Sequence, residues 1–396
     1  MLRKTTIIMT MIVLVVCAGC QSHAQNRRAA KARWDKTSAQ IKLSLAQQQY
    51  ESGKTNDAKK TIAECISADP QMPQAHLLLG KLLYVEQNVE KAVSEFQMAV
   101  ELDEELDEGW YWLGTAAEER KQAQQAWLYY NNAMTLKPTK VDYILAVVDA
   151  YAAQDKPEEA IALLEQKIEA MPTEVSLKVA AADLMCRLKS SERAVKLYKQ
   201  AMLMTTDNSD IVESLGYCYM FSGEWSQAAE VFNELVKQSK DDQKNKLYLQ
   251  AAALCSMNSA QYDQAVNCYG KLSVEERDNA EFWVRMGQAA LGAGMIEKAL
   301  TCGRRALALQ PGYADAVALT GCAQYVAGDY AAAATSFERI TTDKKNLGFS
   351  WLMRARCYER LGQKDRAQQA YKKALELGPH SELGDFLVKG KSIRDW

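Results

Sequence analysis

Alanine recurs at one phase of a 34-residue period along most of the chain, and this regularity limits the fold more than any other feature. A three-residue insertion near residues 243–245 shifts the phase once. Repetition at 20–50 residues is typical of solenoids, in which each repeat packs on its neighbours, so the sequence predicts one repetitive array. The positions are Ala58, Ala92, Ala126, Ala160, Ala194, Ala228, Ala265, Ala299, Ala333 and Ala367.

Each repeat contains two apolar stripes with the spacing of an amphipathic helix. In the clearest repeat they cover residues 110–117 and 126–133, and Pro138 then ends the second helix. The position of Gly114 is Gly or Ala in nine of the ten repeats, which indicates a close helix–helix contact. The position of Tyr130 is usually a large ring, predicted to fill space against the next hairpin.

One position between the two helices holds glycine in five repeats, where a left-handed residue is expected to end the first helix. These glycines are Gly53, Gly223, Gly294, Gly328 and Gly362. The whole pattern closely resembles the tetratricopeptide repeat over residues 39–381. The resemblance implies an all-α, right-handed superhelical solenoid of about ten helical hairpins. Residues 382–396 are predicted to cap its last apolar face.

The N-terminal segment has the features of an export signal. Residues 1–19 combine a positive start with an apolar run over residues 7–16, too short to span a bilayer comfortably. The following tetrad resembles a bacterial lipobox, with Cys17 where leucine is usual. The resemblance implies cleavage before Cys20, lipid attachment to its thiol and, because Gln21 is not aspartate, delivery to the outer membrane. A plain signal or anchor and a CxxC redox motif are the alternatives.

Residues 20–38 are predicted to form a basic tether. Five Lys or Arg side chains accompany a single acid, Asp35, in this segment. Such a stretch can contact anionic headgroups, and it can equally serve as a solvated spacer.

Charge and cysteine content limit the function classes. The formal net charge is −2, without the basic excess typical of nucleic-acid-binding proteins. Eight cysteines lie in the repeats, where buried thiols and disulfides are both open interpretations. They are Cys65, Cys186, Cys218, Cys255, Cys268, Cys302, Cys322 and Cys357.

No constellation of reactive groups indicates catalysis, a cofactor, a metal or a small-molecule substrate. The chain has three histidines, His23, His76 and His380. His76 takes a helix position where other repeats have tryptophan, and it is interpreted as a structural substitute.

The family resemblance implies that the first helix of each hairpin lines a concave groove. Inward positions are expected one, four, eight and eleven residues after the start of each repeat. They are mainly acidic or aromatic in repeats three to six and mainly apolar in repeats seven to ten, where they include Leu291, Cys322 and Phe349. The acids either attract a basic partner or simply keep the groove soluble. The candidate groove residues are Glu108, Tyr111, Asp142, Asp149, Asp183, Asp210, Glu213, Tyr217, Leu254 and Tyr325.

These features predict a membrane-anchored scaffold of the bacterial cell envelope, bound to the outer membrane and facing the periplasm. Its partners would be protein or peptide segments, basic ones among them, gathered into an envelope or secretion complex. One alternative is a periplasmic chaperone-like carrier of extended polypeptides. Another is a regulatory subunit of an enzyme complex.

Overall fold

The computed structural model describes the backbone of residues 2–340 and 344–377, and the side chains of residues 26–340 and 347–377. These residues form twenty α-helices, and no strand occurs among them. Consecutive helices pair as ten hairpins, so the predicted all-α solenoid is confirmed. The chain divides into two compact units, residues 1–181 and 182–396, and the ninth helix contains the boundary.

The first unit contains the first four hairpins. Its helices are α1 (Leu2–Glu51), α2 (Thr55–Ala68), α3 (Pro73–Val85), α4 (Val89–Leu102), α5 (Asp107–Glu119), α6 (Ala123–Leu136), α7 (Val141–Ala152), α8 (Pro157–Ala170) and the start of α9 (Val175–Arg187).

The second unit continues the same alternation. Its helices are the remainder of α9, then α10 (Ser191–Met202), α11 (Ser209–Phe221), α12 (Trp225–Gln238), α13 (Asp242–Asn258), α14 (Tyr262–Leu272), α15 (Ala280–Gly292), α16 (Ile296–Leu309), α17 (Ala314–Val326), α18 (Tyr330–Glu338), α19 (Lys344–Arg360) and α20 (Lys364–Leu377).

The recurrent alanines and the recurrent turn position both have the roles that the sequence predicted. None of the ten alanines is more than 5% exposed. The five predicted turn glycines have φ between 73° and 83°. The other five hairpins adopt the same left-handed conformation without glycine, at Gln87, Lys121, Asp155, Lys189 and Ala260, with φ of 58° to 62°. All ten hairpins therefore share this turn geometry, although only five of them have glycine at the position.

The N-terminal helix α1 runs through the segment predicted as a tether and continues into the first hairpin. The first residue along it with a described, buried side chain is Ala39. The side chain of Cys20 and the predicted cap, residues 382–396, lie outside the described residues. Within the described part of the chain, no helix has both the length and the apolar character needed to cross a bilayer.

All eight cysteines of the repeats are buried free thiols in the structure. Burial raises the pKa of Cys255 and of Cys302 to about 11, and that of Cys357 to about 12. The buried-thiol interpretation of the sequence therefore describes the structure better than a disulfide framework.

Candidate functional site

Residues at the inward positions predicted from the sequence line two adjoining cavities in the second unit. One has a volume of about 400 Å³ and lies between α11, α13 and α15. The other, of about 270 Å³, shares Leu254, Tyr269, Glu281 and Arg285 with the first and extends to α17. All four inward residues of α13 contribute to these cavities, as Leu247, Gln250, Leu254 and Met257.

Apolar side chains form much of the larger cavity and remain accessible. Leu247 is 52% exposed, Leu254 is 39% exposed and Tyr217 is 37% exposed. The Tyr217 ring packs edge-on against Phe232, with 5.1 Å between ring centroids, which fixes its position. Gln250 and Gln288 add side-chain amides near the apolar surface. An apolar surface with a few amides suits an extended polypeptide, because amides can hydrogen-bond its backbone while its side chains fill the cavity.

Charges at these cavities are already paired with one another. Arg285 donates from Nη2 and Nε to Oε1 of Glu281, at 2.6 and 3.1 Å. Lys246 lies 3.0 Å from Glu276, and hydrogen bonds to Asn279 and Lys246 lower the pKa of the Glu276 carboxyl. The cavities therefore present little unbalanced charge to a partner.

The candidate acids of the second unit are held by neighbouring side chains. Asp183 accepts a short hydrogen bond from the Tyr198 hydroxyl. Glu213 accepts one from Tyr248 at 2.6 Å, and Lys244 lies 3.5 Å from Asp210 and 3.9 Å from Glu213. Lys244 is not among the residues predicted from the sequence, because it lies in the insertion that breaks the register.

In the first unit, the candidate residues gather around the half-buried ring of Tyr111. This ring stacks on Tyr143 with 5.1 Å between centroids and lies 5.5 Å from Tyr130. Burial raises the pKa of the Tyr111 hydroxyl, and the nearby carboxylates of Asp142, Glu118 and Asp149 raise it further. Asp142 and Asp149 are exposed on α7. The structure thus brings Tyr111, Asp142 and Asp149 together as an acidic aromatic surface.

Glu108 belongs to the same face and has a cationic neighbour. Its carboxylate lies 2.5 Å from Lys81 of the preceding hairpin. Lys81 occupies the inward position eight residues into its repeat, so the register applied to the second repeat would have found it. Repeats three to six have no Lys or Arg at their own inward positions, but the preceding hairpin places Lys81 beside them.

The predicted apolar stretch of repeats seven to ten is narrower than expected. Tyr325 is buried and packs edge-on against Tyr330 at 5.2 Å between ring centroids, so it presents little accessible surface. Leu291, Cys322 and Phe349 are buried as well. Helix α17 is buried along nine of its thirteen residues, which is why its inward positions contribute to the core. The accessible apolar surface at the cavities is therefore concentrated on α11 and α13.

The arrangement is suited to binding. Among the residues that the structure describes, no group of three or more His, Cys, Asp or Glu could hold a metal ion. The tyrosine hydroxyls at both surfaces are held un-ionised, because burial raises their pKa values. The two surfaces present exposed apolar side chains, amides and carboxylates.

Several solved structures resemble the chain in part. A structure described as a functional characterisation of Pseudomonas aeruginosa pilF is 17% identical, covers 54% of this chain and 97% of its own, and has a TM-score of 0.45. A tetratricopeptide repeat protein from Parabacteroides merdae is 13% identical over 64% of this chain and 98% of its own, with a TM-score of 0.44. YrrB, described as a TPR protein with an unusual peptide-binding site, is 15% identical over 48% and 96%, with a TM-score of 0.39.

A search of curated proteins finds no match. Three family models match, and all describe tetratricopeptide repeats. Two carry the description "Tetratricopeptide repeat", one over residues 348–381 and the other over residues 43–107, 257–314 and 284–346. The third, "Iml2/Tetratricopeptide repeat protein 39", matches residues 127–279. These segments together span most of the chain and lie within its array of hairpins, and the chain belongs to the tetratricopeptide repeat family.

Proposed function

We propose that the chain is a binding scaffold that holds extended segments of partner proteins and performs no chemistry on them. The observation that carries this proposal is the cavity of about 400 Å³ on the inward register of the second unit. Leu247, Leu254 and Tyr217 stay exposed there, although burying a leucine side chain contributes about 1.5–3 kcal/mol. Accessible apolar side chains beside paired charges are typical of a surface that a partner covers.

We further propose that the Tyr111 surface of the first unit favours basic segments. Asp142 and Asp149 are exposed beside an aromatic ring, and cations bind well next to both carboxylates and ring faces. In this proposal the first unit supplies charge complementarity and the second unit supplies apolar contact area.

The binding test starts in the cells that produce the protein. A photo-crosslinking residue at Gln250, which lines the cavity, is expected to capture the partner, and the crosslinked segment is then made as a peptide. Replacing both Leu247 and Leu254 with Gln is expected to weaken peptide binding by about tenfold or more, since 1.4 kcal/mol corresponds to tenfold. Leu203→Gln is the matched control, because Leu203 is 89% exposed and does not line the cavity. Equal affinities for the cavity variant and the wild type would disprove the proposal.

The charge contribution is tested with the same peptide. Replacing Asp142 and Asp149 with Asn is expected to reduce the salt dependence of binding, because exposed charges are screened by salt. An unchanged salt dependence would show that these acids only solubilise the surface.

We also propose that the scaffold is anchored in the bacterial cell envelope through a lipid on Cys20 and faces the periplasm from the outer membrane. The support is the export-type segment that ends at Cys20 and the glutamine at position 21. Metabolic labelling with a fatty acid is expected to mark the wild type and a Cys17→Ser variant, and to leave Cys20→Ser unlabelled. Label retained by Cys20→Ser would disprove lipid attachment at this thiol.

A further inference from the structure

The outer face of α1 carries an apolar stripe that the described chain leaves uncovered. Trp34 is 73% exposed, Ile41 is 66% exposed and Leu45 is 47% exposed. Their spacing of seven and four residues places them on one side of the helix. The buried residues among the described side chains of α1, Ala39, Leu43 and Ala46, lie away from this stripe, against the first hairpin's core.

The same stripe is a buried contact in the rest of the array. The position of Ile41 is buried in all nine later hairpins, where it packs within the stack. The equivalent residues are Ala75, Gly109, Tyr143, Leu177, Ile211, Tyr248, Phe282, Ala316 and Ser350. Ile41 thus has the side chain that suits a covered position, yet it stays exposed on the face of α1 that has no hairpin packed against it.

Basic residues lie along and beside this stripe. Residues 26–38 carry five Lys or Arg and one acid, Asp35. Arg27 and Lys31 precede Trp34 by seven and three residues, so both lie on or next to the apolar face. Both are exposed, and α1 is helical throughout this segment.

We propose that the outer face of α1, from Arg27 to Leu45, docks on an anionic lipid bilayer surface. Tryptophan and aliphatic side chains enter the headgroup boundary, and flanking cations bind anionic headgroups. Charge complementarity selects this occupant, because a second copy docking here would bring another segment with the same five cations. The surface goes beyond partner binding in the cavities and needs no lipid on Cys20.

The test follows α1 itself, because the apolar run of residues 7–16 can associate with any bilayer. The full-length chain carries Cys17→Ser and Cys20→Ser, and its eight other cysteines are buried. A nitroxide is attached at Ala30→Cys, on the stripe side, or at Ala32→Cys, on the opposite side. Each protein is mixed with vesicles of phosphatidylglycerol and phosphatidylcholine, or of phosphatidylcholine alone.

For the label at position 30, we measure the ratio of its accessibility to oxygen to its accessibility to a water-soluble nickel chelate. Anionic vesicles are expected to raise this ratio several-fold. The label at position 32 is expected to stay in water. Replacing Trp34, Ile41 and Leu45 with serine should abolish the gain, and these exposed side chains can be changed without opening the core. The proposal would be overturned if the labels at positions 30 and 32 had equal access to oxygen, or if the label at position 30 gave the same result on both vesicle types. Spin–spin broadening at position 30 without vesicles would overturn it as well. The last result would identify a second copy as the occupant.

Discussion

At the scale of single residues, aromatic rings explain the small side chain that recurs on the first helix of each hairpin. A Cβ added to Gly114 would lie 2.4 Å from Cδ1 of the Tyr130 ring, and one added to Gly80 would lie 2.5 Å from the Phe96 ring. The sequence predicted a small residue for close helix contact and a ring for contact with the next hairpin. In the structure the ring lies on the glycine of its own hairpin, so each position explains the other.

The eighth hairpin shows the same requirement met in another way. Gly303 stands where the other hairpins place a bulky side chain, and no ring is available to cover Gly287. Leu319 of the next hairpin fills the space instead, 2.4 Å from where a Cβ on Gly287 would lie. The bulk that is missing at Gly303 is therefore supplied by the next hairpin, so the sequence of the eighth repeat alone could not predict this contact.

Gly114→Ala is expected to destabilise the protein by about 1–3 kcal/mol, because its methyl group would overlap the Tyr130 ring. Gly270→Ala is the control, since Gly270 lies in α14 with nothing within 4 Å of the added Cβ. It should be neutral or stabilising by up to about 1 kcal/mol, from helix propensity. Urea unfolding followed by circular dichroism measures both. Equal effects of the two substitutions would contradict the packing explanation.

At the scale of the helix, one recurrent hydrogen bond joins the start of a hairpin's first helix to the loop before it. In four hairpins of the described chain, the side chain three residues after the start of the helix reaches the carbonyl oxygen six residues earlier. The pairs are His76 with Pro70 at 3.0 Å, Trp110 with Glu104 at 2.9 Å, Lys178 with Pro172 at 2.6 Å and Trp283 with Arg277 at 2.9 Å. The interpretation of His76 as a substitute for tryptophan therefore has a physical basis, because both side chains can donate an N–H to this carbonyl.

His76 also makes the contribution of this contact to stability dependent on pH. Its Nδ1 lies 2.7 Å from the Glu95 carboxylate, and this hydrogen bond raises the pKa of His76 above 6.5, with the Pro70 carbonyl adding to the effect. A raised folded-state pKa stabilises the protein fully below the unfolded value, and this contribution is lost as pH rises through the folded value. His76→Trp should keep the bond to Pro70 and remove this decline. The measurement is the unfolding free energy of both proteins from pH 5 to 9, and parallel curves would exclude the proposed role of His76.

The helices could be predicted because each repeat supplies apolar spacing, a proline and a turn residue in phase. The left-handed residues at Gln87 and Lys121 could not be predicted from residue type, because packing on both sides imposes a conformation that these residues disfavour locally. The extension of α1 through residues 20–38 was also not apparent, because this segment has no buried face that would produce a periodic signal.

At the scale of the whole molecule, counting from the start of each repeat predicted side chains that line the cavities. It did not predict the cationic partners of the acidic side chains. Leu254 and Tyr217 were found by counting from the start of each repeat. The partners of the acids come from neighbouring hairpins, as with Lys81 for Glu108 and Lys244 for Asp210, separated by 27 and 34 residues. A position's exposure also depends on the hairpins around it, which is why Tyr325 is buried although it has the same register as exposed residues.

The cysteines offer a test of the whole array, because they are distributed over seven of the ten hairpins and all eight are buried. Stacked repeats are stabilised mainly by nearest neighbours, so each thiol reports whether its own hairpin is closed. In a Cys17→Ser and Cys20→Ser background, a small disulfide reagent at pH 8 should modify these thiols on the order of 100-fold more slowly than an exposed thiol, since burial and raised pKa values suppress the thiolate. Ser44→Cys, on the exposed side of α1, supplies that reference. Mass spectrometry after a labelling pulse identifies each modified cysteine. Any of the eight that reacts as fast as the reference without denaturant would show that its hairpin does not pack as described.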